Sequence, residues 1–346
     1  MTSQGSGPDR SGFRLDPSDL GRRVMVRRVV GVLDGRPQFS DTLGVLTSWD
    51  AGVLIVVNRA GDPVELPEAE LVAGKTVPPA PVRRSATAPE LREPAELQRI
   101  AARGWSALEQ EPLGAWMLRA SAGFTRRGNS TQTLGEPGLP LADALDRVQA
   151  WYAARGLPAF VEITTPGSPE ALEAALAERG AKEAGTFVRT APLARLVGAA
   201  TVQQDVRLFR AADAGWISRY QRVGGDPAKE KAALALLHSG PSVWFASVTL
   251  PEIGDGPAAI GRCVVDGQWA GFGAIEVVPA ARRRGLATAI MAALAARAAE
   301  EGATGAYLQV EEENARARAL YDKLGFDTAY RYCYAQLSMI ENRSGG

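Results

Sequence analysis

Two glycine-stopped helix–strand–helix runs, repeated about 145 residues apart, constrain this chain more than any other feature of its sequence. In the first run, residues 141–155 carry Leu141, Ala144, Leu145, Val148 and Tyr152 on one face at helical spacing, and Gly156 stops the helix. A strand over 159–164 follows, then a helix over 169–179 with Ser168 as N-cap, Pro169 at the first helical position and Gly180 past the end. In the second run, a helix over 286–301 stops at Gly302, a strand spans 306–310, and a helix over 315–324 stops at Gly325 before β-like residues 328–337. Helices alternating with strands in this way imply an α/β (α+β) fold, a mixed sheet with helices on both faces, in two tandem halves over 95–196 and 202–337.

The residues before the repeat read differently. Short apolar runs at 23–33, 43–48, 53–58 and 64–66 are separated by Asp34-Gly35, Asp50-Ala51-Gly52 and Ala60-Gly61-Asp62-Pro63, all suited to hairpins. They predict a small N-terminal β-barrel of SH3-like type over 14–74. Residues 1–13 read as a disordered tail, 75–94 as a linker rich in Pro, Ala and Arg, and 338–346 as a second disordered tail.

Composition narrows the function classes. The 39 Lys and Arg balance 39 Asp and Glu, so no global charge favours nucleic acid or an anionic membrane. Arg22, Arg23, Arg27 and Arg28 are basic but have no aromatic platform beside them. No apolar run approaches the ~20 residues of a membrane span, and the polar, Gly-rich N-terminus is unlike a signal peptide. Cys263 and Cys333 make no disulfide framework and read as small core residues; with no secretion signal, a cytoplasmic location is expected. His238 is the single histidine; it reads as a helix-end or surface residue, and no metal site is expected.

Chemistry concentrates in Ile275-Glu276-Val277-Val278-Pro279-Ala280-Ala281-Arg282-Arg283-Arg284-Gly285-Leu286-Ala287-Thr288. A β-branched strand ends at Pro279 and an Arg-rich turn feeds a helix. Helix starts offer unpaired N–H groups and the positive end of a dipole, which suit phosphate oxygens. Gly285 and Ala287 allow close approach of a pyrophosphate to the backbone. A solvated basic turn is the alternative reading of the same residues.

Downstream, Tyr307-Leu308-Gln309-Val310 runs into Glu311-Glu312-Glu313-Asn314, then Ala317, Leu320, Tyr321 and Leu324-Gly325-Phe326. Pro-x-x-Arg-x-x-Gly-x-Ala followed by Asn-x-x-Ala-x-x-Leu-Tyr-x-x-x-Gly-Phe resembles the acyl-CoA signature of the GNAT N-acetyltransferase superfamily. The resemblance implies that Arg282, Arg283, Arg284, Gly285, Leu286, Ala287 and Thr288 hold the cofactor pyrophosphate. It makes Val277 and Val278 the strand that pairs with pantetheine, Asn314 a polar contact to it, and Tyr321 the general acid beside the thiolate. Ala287 stands where the usual pattern has Gly. The layout is also similar to an actinobacterial GNAT group with an SH3-like barrel and a degenerate first half, the stretch Gly104-Trp105 through Asn129-Ser130 carrying that likeness. Between that stretch and Leu141 no Arg-x-x-Gly-x-Gly/Ala loop occurs, so the first half is expected to hold no CoA and to shape the acceptor pocket.

The implied activity is transfer of acetyl from acetyl-CoA to a primary amine by direct attack, the acceptor being a small-molecule amine or a peptide. Direct attack needs a base for the amine and a proton for the thiolate, but no nucleophilic residue. Glu276 and Glu311 are the candidate bases. Some relatives place a catalytic Glu where this chain has Gln309, which leaves the base open between them. Arg126, Arg127 and Asn129 read equally as an acceptor-carboxylate site or as a solvated loop. A homo-oligomer is compatible with this reading. The competing function is a catalytically weak GNAT-fold regulatory protein that uses the SH3-like barrel for partner contacts.

Overall fold

The computed structural model describes residues 12–338 apart from 34–35, 59–61, 78–88, 92, 178, 183–184, 201–203 and 221–225. The chain forms two compact units, one from the residues up to 83 with 299–302, the other from the remainder.

The first unit contains β1 (Gly12–Phe13), β2 (Arg23–Leu33), β3 (Arg36–Asp50), β4 (Val53–Asn58), β5 (Pro63–Pro67) and β6 (Leu71–Thr76). They lie in one six-stranded sheet in the order β1-β6-β2-β3-β4-β5. Val24, Val26, Leu46, Leu54, Val56, Leu66 and Leu71 alternate onto one face and make its core. The turn between β3 and β4 is built on Ala51 and Gly52, with φ of 48° and 76°, the left-handed pair that a tight hairpin requires.

No closed barrel is found among the described residues in place of the expected SH3-like one. Among the described residues β1 and β5 form the two edges of an open sheet and do not pair. Two departures from the expected strands go with this. Gly12 and Phe13, read as tail, pair in parallel with Ala73 and Gly74 as an edge strand. β3 begins at Arg36, seven residues before its apolar run, because Arg36–Thr42 pair with β2 through the backbone, the side chains of Pro37–Thr42 being exposed or half-exposed. The Asp34-Gly35 turn and most of 75–94 lie outside the described residues, although Lys75 and Thr76 belong to β6.

The second unit opens with α1 (Pro94–Arg103), β7 (Glu109–Leu113), β8 (Trp116–Ala120), β9 (Thr131–Gln132), α2 (Leu141–Ala153), β10 (Phe160–Thr165), α3 (Leu172–Ala177), β11 (Gly180–Lys182), β12 (Thr186–Pro192) and α4 (Leu193–Val197). It continues with β13 (Arg207–Phe209), α5 (Ala214–Arg219), α6 (Pro227–His238), β14 (Ser242–Thr249), β15 (Pro257–Asp266), β16 (Trp269–Val277), α7 (Leu286–Glu300), β17 (Gly305–Glu311), α8 (Ala315–Lys323) and β18 (Asp327–Leu337). The repeat read in the sequence is α2-β10-α3 and α7-β17-α8, and the strands before it extend the likeness to β7-β8-β9-α2-β10 and β14-β15-β16-α7-β17. Each copy contains a parallel pair joined through a helix, β9 with β10 and β16 with β17. α3 is shorter than expected, and Ser168 does not cap it. Its hydroxyl instead accepts from Thr164 N at 2.9 Å and meets Thr133 Oγ1 at 2.8 Å. Gly180 opens β11 instead of closing a helix.

The two halves do not form separate sheets. One twelve-stranded sheet runs β13-β14-β15-β16-β17-β12-β18-β10-β9-β8-β7, with β11 also on β18. β12, the last long strand of the first half, lies between β17 and β18. β18, the last strand of the second, lies between β12 and β10. The halves therefore exchange their closing strands, and the boundary near 196–202 divides the chain without dividing the sheet.

This sets an expected outcome for a fragment beginning near Ala200. It would lack β12, whose Val188, Arg189 and Ala191 are buried, and would expose the backbone edges of both β17 and β18. We expect no cooperative thermal transition from this fragment by near-ultraviolet circular dichroism. A sharp transition would show that the second half folds without the exchanged strand.

Candidate active site

β16 pairs with β17 from Trp269↔Gly305 to Phe272↔Leu308 and no further. Gly271 permits this approach, since a Cβ there would lie 2.3 Å from the Tyr307 ring. Beyond Phe272 the strands part. β17 carries Gln309, Val310 and Glu311 onward against β12, while β16 stays with β15, bending through a register shift and Ala274 at φ 51°. The result is a cleft whose β16 wall has a backbone edge unpaired toward β17, a surface suited to the amides of an extended ligand. Val278 N donates to Ala258 O at 2.9 Å, so its N–H turns away from the cleft. The Val277 carbonyl accepts from Arg282 Nε at 3.3 Å. Of the two valines expected to meet pantetheine, Val277 is thus the better placed.

At the end of that wall, a turn over Pro279–Ala281 leads into Arg282, Arg283, Arg284 and Gly285, all exposed. Arg283 and Gly285 have φ of 61° and 79°. This double left-handed step turns the chain into α7, whose first ladder bond runs from Ala289 N to Gly285 O at 2.9 Å. Helix geometry leaves the N–H groups of Leu286, Ala287 and Thr288 without intrahelical acceptors. Leu286 is buried and anchors the turn. Arg284 bonds Glu252 at 2.7 Å. Backbone donors and the positive end of the helix dipole thus meet at a turn carrying three exposed arginines, an arrangement suited to an anion.

Past β17, Asn314 caps α8, its Oδ1 accepting from Ala317 N at 3.1 Å; the amide nitrogen is the group it can offer a ligand. Tyr321, two turns into α8, packs edge-on to Phe326 at 5.8 Å. Desolvation pushes its phenol up to about 12, so it remains a proton donor throughout the neutral range.

Strand alternation sorts these groups between the faces of the sheet. Glu276 stands opposite Ile260, whose side chain belongs to the core under α5 and α6, so the half-buried Glu276 projects from that face. Tyr307, Gln309 and Glu311 share it, Tyr307 packing in the core below α1. α8 covers the opposite face, where Arg318 lies over Phe187, the partner of Val310. The candidate bases and the candidate acid therefore lie on opposite sides of the cleft. Glu311 is exposed at the end of β17, with its carbonyl accepting from Asn314 N at 3.0 Å.

The equivalent cleft of the first half is closed by its own chain. β9 and β10 pair at only Thr131↔Val161 and Gln132↔Glu162. Thr133 Oγ1 then donates to Glu162 O at 2.7 Å, Gly135 N to Gly167 O at 3.1 Å, and Leu134 is buried between them.

Sequence reasoning missed a buried polar seam on the Glu276 face. Arg119 and Glu162 pair at 2.8 Å, both almost fully buried. Gln98 and Gln132 donate to the same carboxylate at 2.9 and 3.2 Å, and Tyr330 donates to Gln98 at 2.7 Å. Gln309, where a carboxylate would stand in some relatives, accepts from Arg127 at 2.7 Å and from the Tyr332 hydroxyl at 3.3 Å. These bonds join residues far apart in the chain, so no local pattern announces them. Among the described residues no cluster suited to a metal ion occurs, and no helix is long and apolar enough to cross a membrane.

Residues 91–335 match the family model described as the C-terminal part of the probable histone acetyltransferase Rv0428c. The chain is 28% identical over 327 residues to the probable histone acetyltransferase Rv0428c of Mycobacterium tuberculosis, covering 92% of this chain and 96% of that protein. It is 27% identical over 245 residues to the uncharacterized N-acetyltransferase YobR of Bacillus subtilis, covering 69% and 96%. Among solved structures, a GCN5-related N-acetyltransferase from Kribbella flavida shares the fold with a TM-score of 0.50 at 17% identity, over 73% of this chain and 96% of that one. The chain belongs to the Rv0428c C-terminal family, a family of GNAT-type N-acetyltransferases.

Proposed function

We propose that this enzyme transfers acetyl from acetyl-CoA to a primary amine, carried by a small molecule or a peptide, in the cleft between β16 and β17. The observation that carries the reading is the parting of these strands after Phe272 and Leu308, directly before the Arg282–Thr288 turn. That turn would hold the pyrophosphate, the Val277 backbone would align pantetheine, and Asn314 would contact it from the start of α8. Acetyl-CoA supplies a thioester carbonyl activated toward amines. The amine nitrogen bonds to that carbon, the carbon–sulfur bond breaks, and the nitrogen's proton must leave.

Glu276 takes that proton in this reading, directly or through a water, because it projects half-buried from the strand that lines the cleft. Glu311 is exposed to solvent and is the second candidate. Tyr321 gives its hydroxyl proton to the departing sulfur from the opposite side. The mycobacterial relative is named a probable histone acetyltransferase, which keeps a peptide amine among the possible acceptors, and the closed first-half cleft supports a single donor site.

Thiol release from acetyl-CoA over a panel of amines and peptides tests the reading. Glu276→Gln should lower kcat/KM by about 10²-fold, the usual worth of a positioned base, with acetyl-CoA affinity unchanged. Glu311→Gln should change it by less than about 3-fold, since a solvated carboxylate is poorly poised to accept the proton. The reverse pattern would move the base to Glu311.

A further inference from the structure

We propose that Arg127 receives a carboxylate carried by the acceptor, so that the enzyme favours amines bearing an anionic group. The proposal rests on the donor cleft described above and adds the class of acceptor.

Arg127 belongs to the first half but reaches β17 of the second. Its Nη1 donates to Gln309 Oε1 at 2.7 Å, and Gln309 is the first residue of β17 past the last pair with β16. The guanidinium therefore stands at the apex of the cleft, on the face from which Glu276 projects. It stacks over Trp105 at 5.1 Å, and stacking leaves the in-plane N–H donors available.

Of the three neighbouring guanidiniums it makes the fewest hydrogen bonds. Arg119 has Glu162 and the carbonyl and hydroxyl of Ser130. Arg262, on the same Trp105 ring at 5.3 Å, donates to the carbonyls of Leu237 and Ser239 at the end of α6 and to that of Gly104. Among the described residues, Arg127 has one hydrogen bond, to a neutral amide oxygen. Its four remaining donors suit an oxygen of a carboxylate through a charge-assisted bond. The recess it lines with Gln98, Arg119, Gln132, Glu162 and Gln309 has room for about one water, the size of a single carboxylate oxygen.

The loop carrying Arg127 is built rather than solvated. Asn129 is buried, and its side chain accepts from Ser121 N and Gly123 N at 2.7 and 2.9 Å and donates to the carbonyls of Phe124 and Thr125 at 2.8 Å each. Trp105 Nε1 donates to Thr125 Oγ1 at 3.0 Å. Ala122 and Thr125 are held at φ 49° and 57°, strain that persists only where surroundings enforce it. Asn129 is thereby spent on the loop, and Arg126 is directed over the Phe160 ring at 5.0 Å. Arg127 alone of the three remains as the carboxylate receptor.

The test uses the full-length enzyme, acetyl-CoA, and matched acceptors: ω-amino acids of two to five carbons, each with its carboxamide. The wild type should favour the carboxylate members by about 10²-fold in kcat/KM, as for a buried charge-assisted contact. Arg127→Gln should erase that preference through KM for the carboxylates, leaving acetyl-CoA affinity and the carboxamide rates within about 3-fold. Arg127→Lys, which keeps the charge without the fork, should fall between them and serves if the Gln variant fails to melt cooperatively. Equal use of both members by the wild type, or equal loss on both in Arg127→Gln, overturns the proposal. Absence of turnover with every pair by an enzyme that binds acetyl-CoA in calorimetry overturns it too and leaves the donor cleft standing. Absence of acetyl-CoA binding would sink the donor cleft itself and the proposal with it.

Discussion

Gly285→Glu should abolish acetyl-CoA binding in a protein that still folds. Gly285 is exposed and sits at φ 79°, a conformation that costs an L-residue about 1–2 kcal/mol. That cost falls on the turn, away from the core, so a thermal midpoint lowered by only a few degrees is expected. The effect on the ligand is larger. The new carboxylate would stand at the positive end of α7, beside the N–H groups of Leu286, Ala287 and Thr288, and would repel the phosphate oxygens proposed to bind there while occupying their donors. Calorimetry should show affinity weaker by at least about 10²-fold, in keeping with the loss of a charge-assisted anion contact. Gly285→Ala separates the backbone cost from the charge and should weaken binding far less. Unchanged affinity in a folded Gly285→Glu protein would remove the pyrophosphate from this turn.

Tyr321→Phe should act on rate alone. The ring and its edge contact with Phe326 survive the substitution, so acetyl-CoA affinity should hold while kcat falls by about 10²-fold, the worth of a positioned general acid. A loss confined to kcat marks an interaction made in the transition state. With the phenol pushed up to about 12, the proton-bearing form is fully present below its ordinary value of 10 and is lost only as pH rises through about 12. An alkaline fall in kcat nearer neutrality therefore belongs to another group and should persist in Tyr321→Phe. A variant with wild-type kcat, measured where chemistry limits the rate, would return Tyr321 to packing.

Local features of this fold were legible in the sequence and long-range ones were not. The boundaries of α2, α7 and α8 follow from apolar spacing and stop glycines, which act within a turn or two. The Arg282–Thr288 turn into α7 was readable for the same reason, since its arginines, Gly285 and the helix start lie within seven residues. Strand neighbours depend on backbone pairing that side chains barely encode, so the position of β12 between β17 and β18 left no trace. Ser168 shows how a good local signal loses to tertiary context, since its hydroxyl finds Thr133 across the first-half cleft. The Arg127–Gln309 contact was beyond reach because its meaning depends on where the two parallel strands part.

The exchanged strands also tie the protein to the order of its own synthesis. β10 emerges early but has no partner on one side until β18, the final strand, has left the ribosome. β12 waits likewise for both β17 and β18. For most of translation the chain therefore carries open strand edges, the kind of surface on which nascent proteins misassociate. A premature stop before Asp327, the first residue of β18, would take a central strand from the sheet and cripple both halves at once.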